Sequence, residues 1–497
     1  MPRLKSIYDW FERRVQLEGP VKDAVLHKVP RNTASWWYVF GSAAFTLLLF
    51  QIVTGILLAL VYVPSGAEAW NSLNVLNHQI PLGWYLRALH GWGSNFMVAV
   101  VFIHMAQVFL FGAYKFPREL TWTVGVFLLL ATLGMAFTGQ VLRFDQDAYW
   151  GLGIGVFIVS RVPWLGGGLV HLLLGGPVIA GATLSRFFTL HVFVIPGTLL
   201  GLALLHVWMV LKLGINEWPM PGRLVRKSTY VAEYNQLSHD DGIPFVPGAF
   251  WKDLVFSAAI LAAVAVCAAV FGPYGPGGQP NPAITQTVPK PDFPFLWIYA
   301  VLSYLPPSME TPFILIAPIL MIAGLLAVPF VASEGEKSWH RRPVAVLALA
   351  TVAVAWGVFT HLATYTPWSP HMSAWSGDTL PARYLEAATP VVRQGAIIFQ
   401  AKQCRNCHSI GGHGGERGPA LDDVATRMTA DQLRYKVVTG GGNMPAYGKN
   451  LSPPEIEALV SFLETLHPKG EPPAFDASQH RIEANPSPPP VGGSAAP

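Results

Sequence analysis

The sequence predicts an all-α protein: a polytopic transmembrane helix bundle of about seven spans, followed by a small all-α domain. Three observations predict it. Of 497 residues, 52% are hydrophobic and 12% charged, whereas soluble domains carry about 25% charged residues. Seven apolar stretches reach the roughly 20 residues that a bilayer-crossing helix needs. After Tyr365 the composition turns polar, and Pro367, Pro370 and Ser373 mark a linker. The 17 Trp and 15 Tyr suit interfacial aromatic belts. A formal charge of +4 is too small to argue for nucleic acid and no nucleic-acid partner is expected.

The spans run near 36–63, 83–112, 121–142, 186–211, 252–272, 312–332 and 344–364. The stretch 150–180 is also apolar but is broken by Arg161, Pro163 and Gly166-Gly167-Gly168. It reads as two short interfacial helices, with an eighth span as the rival. Lys and Arg gather before span one (Arg13, Arg14, Lys22, Lys28, Arg31) and after spans two, four and six (Lys115, Arg118; Lys212, Arg223, Arg226, Lys227; Lys337, Arg341, Arg342). The positive-inside rule then puts the N-terminus in the cytoplasm, and seven spans put the C-terminus outside. No signal peptide is visible. The expected organisation is an amphipathic cytoplasmic segment 1–35, a four-helix bundle 36–215, a cytoplasmic loop 216–250, a three-helix region 251–366, a linker 367–388, a soluble domain 389–468 and a disordered tail 469–497.

Span two carries His90 and His104; span four carries His191 and His206. At about 100° per residue, steps of 14 and 15 return to within roughly 40° and 60° of the starting face, about 21 Å further along the axis. Both spans run outside to inside. His90 can therefore face His191 near the outer side, and His104 can face His206 near the inner side. Two such pairs make two bis-imidazole haem b sites. Intramembrane histidines are costly and tend to mark function, although single ones often only pack helices. Gly41 and Gly55 on span one, and Gly125 and Gly139 on span three, repeat the 14-residue spacing. They suit close approach to a haem plate, or equally a plain helix crossing. Arg87 and Arg186 precede His90 and His191 and suit haem propionates or interfacial anchoring.

Cys404-Arg405-Asn406-Cys407-His408 is a c-type haem attachment motif, with His408 as the proximal ligand. A zinc pair or a redox dithiol is the rival, but no second C-x-x-C exists. The distal ligand is expected to be Met444, in Gly442-Asn443-Met444-Pro445-Ala446-Tyr447, rather than Met428 in an expected helix from Asp422. A helix from Pro453 to His467 would close this domain. Cys267, alone in an apolar run, reads as a core residue.

Residues 30–335 resemble the cytochrome b of quinol:cytochrome c oxidoreductases (bc complexes). The resemblance rests on Trp36-Trp37-Tyr38-Val39-Phe40-Gly41-Ser42, Gln51-Ile52-Val53-Thr54-Gly55, Arg87-Ala88-Leu89-His90-Gly91, Phe116-Pro117-Arg118-Glu119-Leu120 and Ser185-Arg186-Phe187-Phe188-Thr189-Leu190-His191. The 15-residue His spacing and seven spans resemble the chloroplast-type branch, here in one chain fused to a class I-like cytochrome c domain. That branch's extra-haem cysteine would fall at Val39, so no extra haem is expected. The family's outer quinol-oxidation motif Pro-Glu-Trp-Tyr corresponds to Pro291-Asp292-Phe293-Pro294, with Tyr299 downstream. Its Gly-Tyr-x-Leu-Pro-Trp-Gly-Gln reads Gly139-Gln140-Val141-Leu142-Arg143-Phe144-Asp145-Gln146. The inner quinone site is similar at Asp241-Gly242-Ile243-Pro244-Phe245, where Asp241 would contact quinone or be a solvated loop acid.

The resemblance implies a bifurcated reaction. Quinol gives one electron to a separate Rieske iron–sulfur protein and one to the two b haems, while protons leave outside. The c haem passes electrons to a downstream cytochrome c or oxidase. Asp292 is expected to accept a quinol proton, with Tyr299 as the second catalytic candidate and Phe293 lining the quinone pocket; an N-cap near Phe293 is the plain role for Asp292. A multi-pass protein of a bacterial inner membrane, in a homodimeric complex, is expected. The alternatives are a membrane haem conduit of a quinone-linked dehydrogenase without bifurcation, and a transporter with haem as structural filler.

Overall fold

A computed structural model of the chain describes residues 27–176, 179–281, 290–365, 380–386, 388–414, 418–440, 444, 447–448, 451–470 and 474. The amphipathic segment up to residue 26, most of the linker and nearly all of the tail lie outside these residues. The chain divides into two compact units near residue 366.

Among the described residues of the first unit, seven helices are long and apolar enough to cross a bilayer. They are α1 (Phe40–Ala59), α3 (Gly83–Leu110), α4 (Glu119–Leu142), α7 (Gly181–Leu213), α9 (Phe250–Phe271), α11 (Pro307–Val331) and α12 (Pro343–Tyr365). Shorter helices link them: α2 (Ala69–His78), α5 (Gln146–Ser160), α6 (Gly166–Leu174), α8 (Tyr230–Asp240) and α10 (Leu296–Tyr304). At 15 and 9 residues, α5 and α6 are too short to span a bilayer, so the apolar stretch after Trp150 is not an eighth span. Arg161 and the positive-φ Trp164 lie between them.

Helices α1, α3, α4 and α7 form a four-helix bundle. Packing runs α1 to α3, α3 to α4, α4 to α7 and α7 back to α1, so α3 and α7 lie on a diagonal. The core between them holds Leu47, Met97, Val100, Leu199 and Ala203. Helix α9 packs on α1 and α3.

The basic residues after spans two, four and six meet at one end of the unit. There Lys115, Arg118 and Arg342 neutralise helix C-termini, whose last carbonyls lack intrahelical donors. Arg118 donates to the carbonyls of Leu213 and Gly214, and Arg342 to those of Phe109 and Leu110. Lys115 donates to the Ala332 and Glu334 carbonyls. The fully buried Lys337 donates to the Tyr230 hydroxyl at 2.9 Å and pairs with Glu217. Two short antiparallel pairs close this end: β1 (Lys28–Pro30) with β3 (Gly242–Pro244), and β2 (Leu224–Val225) with β4 (Gly335–Glu336).

The second unit is helical around a small core. It contains α13 (Pro390–Ala401), α14 (Val424–Arg427), α15 (Ala430–Thr439) and α16 (Pro453–Leu463), with a two-residue pair β5 (Ser409–Ile410) and β6 (His413–Gly414). Helices α13 and α16 cross closely at Gly395, where a methyl group would strike the Ala458 carbonyl. Phe399 and Phe462 seal the crossing, with ring centres 5.4 Å apart. The closing helix stops at Leu463, four residues before the expected His467, and Met428 caps the short α14 rather than lying inside it.

Candidate functional site

His90 and His104 project from α3, and His191 and His206 from α7. The His90 and His191 ring centres are 6.3 Å apart across the diagonal of the bundle. That separation leaves room for one ion between them at about 2 Å per metal–imidazole bond. His104 and His206 lie near enough to interact electrostatically. The 15-residue spacing on α7 is reconciled by a π-helical turn at Leu190–Val194, where the Ile195 N–H reaches back to the Leu190 carbonyl. Such a turn takes up one extra residue, so His191 and His206 share a face as closely as His90 and His104. Pro196 follows directly. It has no N–H to give the preceding turn and crowds a tighter one. This proline is the signal that residue counting alone passed over.

The four glycines are the cradle. A methyl group at Gly41 would come within 3.2 Å of His104 Cε1, and at Gly55 within 3.1 Å of His90 Cε1. At Gly125 it would come within 3.5 Å of His206, and at Gly139 within 2.9 Å of His191. Each glycine therefore opens the space over one imidazole, a tighter role than helix crossing alone. Thr54 and Thr138, each one residue before a glycine, sit 2.9 Å from Nδ1 of His90 and His191. Both hydroxyls already donate to carbonyls one turn back, Phe50 and Gly134. They therefore accept from Nδ1–H, which leaves Nε2 bare as a ligand. Nδ1 of His104 is buried with no hydrogen-bond partner among the described residues, and Nδ1 of His206 approaches Thr121 without completing a bond. Paired imidazoles, bare ring nitrogens and glycine-cleared space fit a bis-histidine haem at each level.

Arg87 and Arg186 lie at the His90 end. Arg87 donates to the Tyr274 and Gly275 carbonyls and to Asn77 Oδ1 at 2.9 Å; Arg186 donates to the His171 and Leu172 carbonyls. Here Arg87 ties the 274–275 loop to α2, and Arg186 caps the last turn of α6.

Asp292, at the same end, precedes a 3-10 turn at Phe293–Phe295 but makes no side-chain cap bond to it. Its backbone N–H donates to Gln140 Oε1 at 3.3 Å, and its carboxylate lies 3.6 Å from an Arg143 guanidinium nitrogen. Burial pushes its carboxyl above the ordinary range, and Arg143 opposes that rise. The Gln140 amide nitrogen is buried without a partner among the described residues. Phe293 stands edge-on to Trp356, and Tyr299 is buried beside Ala300 and Ala363.

At the His104 end, Asp241 forms an exposed ion pair with Arg31 at 3.0 Å, as a solvated loop acid does. The sequence reading missed a second acid there. Asp253, in the first turn of α9, accepts from Ser42 Oγ at 2.7 Å, next to Gly41. A small cleft beside it is lined by Tyr38, Val39, Phe245 and Lys252. The signal was present as an acid just inside an apolar span.

In the second unit, His408 Nδ1–H donates a 2.8 Å hydrogen bond to the Pro419 carbonyl, which leaves Nε2 bare. A methyl group at Gly418 would overlap the His408 ring. Burial and the nearby Cys404 and Cys407 push the Tyr447 hydroxyl up, so Tyr447 lies close to the motif. Met444 and Met428 both border the core. Gly442, Asn443, Pro445 and Ala446 lie outside the described residues. No cluster of three or more His, Cys, Asp or Glu side chains able to hold a metal occurs among the described residues.

Residues 25–214 match the family model "Cytochrome b/b6/petB", and residues 390–463 match "Cytochrome C oxidase, cbb3-type, subunit III". The chain is 36% identical over 220 residues to the "Menaquinol:cytochrome c reductase cytochrome b subunit" of Geobacillus thermodenitrificans, covering 43% of this chain and 98% of that protein. It is 36% identical over 213 residues to the cytochrome b6 of Synechococcus elongatus, covering 43% and 99%. A solved structure, "Hyperthermophilic respiratory Complex III", matches with a TM-score of 0.62 at 26% identity, covering 80% of this chain and 95% of that chain.

Proposed function

This chain belongs to the cytochrome b/b6 family, and from that premise we propose that it is the cytochrome b/c subunit of a quinol:cytochrome c oxidoreductase. The observation that carries the reading is four imidazoles paired across one bundle diagonal, each beneath a glycine. His90 with His191 and His104 with His206 would hold two haem b groups. Cys404, Cys407 and His408 would hold one haem c, with Met444 as its distal ligand. Bound there, these groups supply one-electron relays across the membrane and onward.

The chain's own residues set the rest. Basic side chains gathered at the His104 end support a cytoplasmic placement of that end. The N-terminus then lies inside a bacterial inner membrane and the cytochrome c unit outside. Quinol oxidation is assigned to the outer end. Asp292 accepts a proton there, freed from a capping role and raised toward the working pH by burial. Phe293 and Tyr299 line that pocket, and the Gln140 amide nitrogen, without a partner among the described residues, offers a donor to the substrate oxygen. Arg87 and Arg186, at the same end, suit propionates. At the inner end, Phe245 and Asp253 border the quinone cleft, with Asp241 on its loop. One quinol electron goes to a Rieske iron–sulfur partner and the other crosses the bundle, with protons released outside. A homodimeric complex and a downstream cytochrome c or oxidase complete the assembly.

The test is quinol-driven b-haem reduction in the purified complex, with the inner site inhibited and the iron–sulfur partner extracted. Bifurcation requires that reduction to stop at the outer end and to return when the partner is restored. Undiminished b-haem reduction without the partner would favour the simple conduit.

A further inference from the structure

Arg143 and Asp145 stand where the family motif has Pro and Gly, and the structure brings both to Asp292. Arg143, 8% exposed, follows the last turn of α4; its Nε lies 2.7 Å from Asp145 Oδ2 and its Nη1 lies 3.6 Å from Asp292 Oδ1. Its guanidinium also lies over the Tyr274 ring, 4.5 Å from the centre.

The two carboxylates are held very differently. Asp145 is buried and caps α5 by accepting from the Ala148 N–H at 2.9 Å, while its other oxygen accepts from the Gly277 N–H at 2.9 Å. Asp292 is 36% exposed on its side chain, makes no cap bond, and stands beyond direct hydrogen-bond distance of Arg143. One fixed cation thus faces one fixed anion and one adjustable anion. With both acids ionised the triad carries one net negative charge, and a proton on Asp292 neutralises it.

We propose that Arg143 is a positioning residue that holds the Asp292 carboxylate at the outer quinol pocket, with Asp145 as the fixed counter-charge that limits this hold. The proposal rests on the reading of Asp292 as the proton acceptor. Arg143 keeps Asp292 ionised and ready; Asp145 prevents a pairing so tight that the carboxylate could not take the proton. The surrounding groups are accounted for. Asp147 on α5 adds a negative charge near Arg143, and Arg87 on α3 spends its donors on Asn77 and on the Tyr274 and Gly275 carbonyls. Tyr274 faces Asp292 from the preceding loop. Lys290 turns to the Thr364 carbonyl at the end of α12, the helix that also carries His361.

The two neighbours predict opposite effects. An opposite charge within about 4–6 Å lowers a carboxyl pKa by about 1–3 units, and a like charge raises it. A base works when ionised, so the acid limb of turnover follows the Asp292 pKa. Quinol:cytochrome c reductase activity of the purified complex is measured across pH, with haem content as the folding control. Asp292→Asn should cut turnover roughly 10- to 1,000-fold with haem intact. Arg143→Gln should move the acid limb up by about one unit or more, and Arg143→Lys should largely restore it. Asp145→Asn, which keeps a capping side chain, should move the limb down. If Arg143→Gln does not assemble, the Arg143→Gln/Asp145→Asn pair, with no buried charge left alone, should give a smaller upward shift. The protonated-carboxyl infrared band that disappears in Asp292→Asn should titrate with the same shifts in the absence of quinol.

Near-normal turnover in Asp292→Asn overturns the proton-acceptor reading itself. Reduced turnover in Asp292→Asn, with the Arg143→Gln and Asp145→Asn limbs unmoved or moved in the same direction, overturns the positioning role alone.

Discussion

At the His90–His191 pair, Nδ1 of each ring is bound by a threonine hydroxyl from the neighbouring helix; at the His104–His206 pair, no such hydrogen bond is completed among the described residues. The register is otherwise the same. Thr54-Gly55 and Thr138-Gly139 flank His90 and His191, whereas Phe40-Gly41 and Val124-Gly125 flank His104 and His206. One residue before each glycine therefore decides whether the imidazole is tethered. A tether fixes the tautomer and raises ligand basicity. Nδ1 of His104 has no partner among the described residues, and Nδ1 of His206 only approaches Thr121. The contrast teaches that one spacing repeat can set two histidine pairs at two levels and still leave their outward ring nitrogens in different surroundings.

The largest expected effect tests whether the pairs are ligand pairs at all. His206→Ala should remove one of two b haems from the purified protein and leave the c haem in place. Unchanged b-haem content would end the comparison. A smaller effect tests the glycines. In Gly139→Ala the new methyl group would lie 2.9 Å from His191 Cε1, whereas in Gly125→Ala the contact is an ordinary 3.5 Å. Overpacking costs about 1–3 kcal/mol, so outer-haem affinity should fall by about 5- to 150-fold in Gly139→Ala. Inner-haem affinity in Gly125→Ala should barely change. Equal losses would mean that the glycines serve helix crossing. The smallest effect isolates the tether. Thr138→Val keeps the shape and removes the acceptor. A hydrogen bond worth about 0.5–1.5 kcal/mol corresponds to about 20–60 mV for one electron. The outer-haem midpoint should rise by that amount in a redox titration, because a less basic imidazole stabilises ferric iron less. The inner midpoint should stay put.

His408 extends the pattern to the second unit, where Gly418 clears its ring and the Pro419 carbonyl plays the part of the threonine hydroxyl. Three of the five histidines read as haem ligands thus complete a hydrogen bond to an oxygen acceptor among the described residues.

Much of this was legible in the chain. Seven apolar runs specify seven spanning helices because backbone polar groups in lipid must be satisfied within one helix. The histidine and glycine spacings specify which residues share a level, because helical rise and rotation are fixed. The C-x-x-C-H motif is local and declares itself. Spacing could not show that the extra residue between His191 and His206 is absorbed in a π turn before Pro196, since phase depends on backbone geometry. Nor could it show that Ser42 meets Asp253, 211 residues away, that Asp241 turns to Arg31, or that Arg143 divides itself between Asp145 and Asp292. The sequence by itself determined the helices, their order and the levels of the candidate ligands, because these follow from local periodicity and burial in lipid. The tertiary structure alone decided which charges meet, because pairing between distant segments depends on how the helices pack.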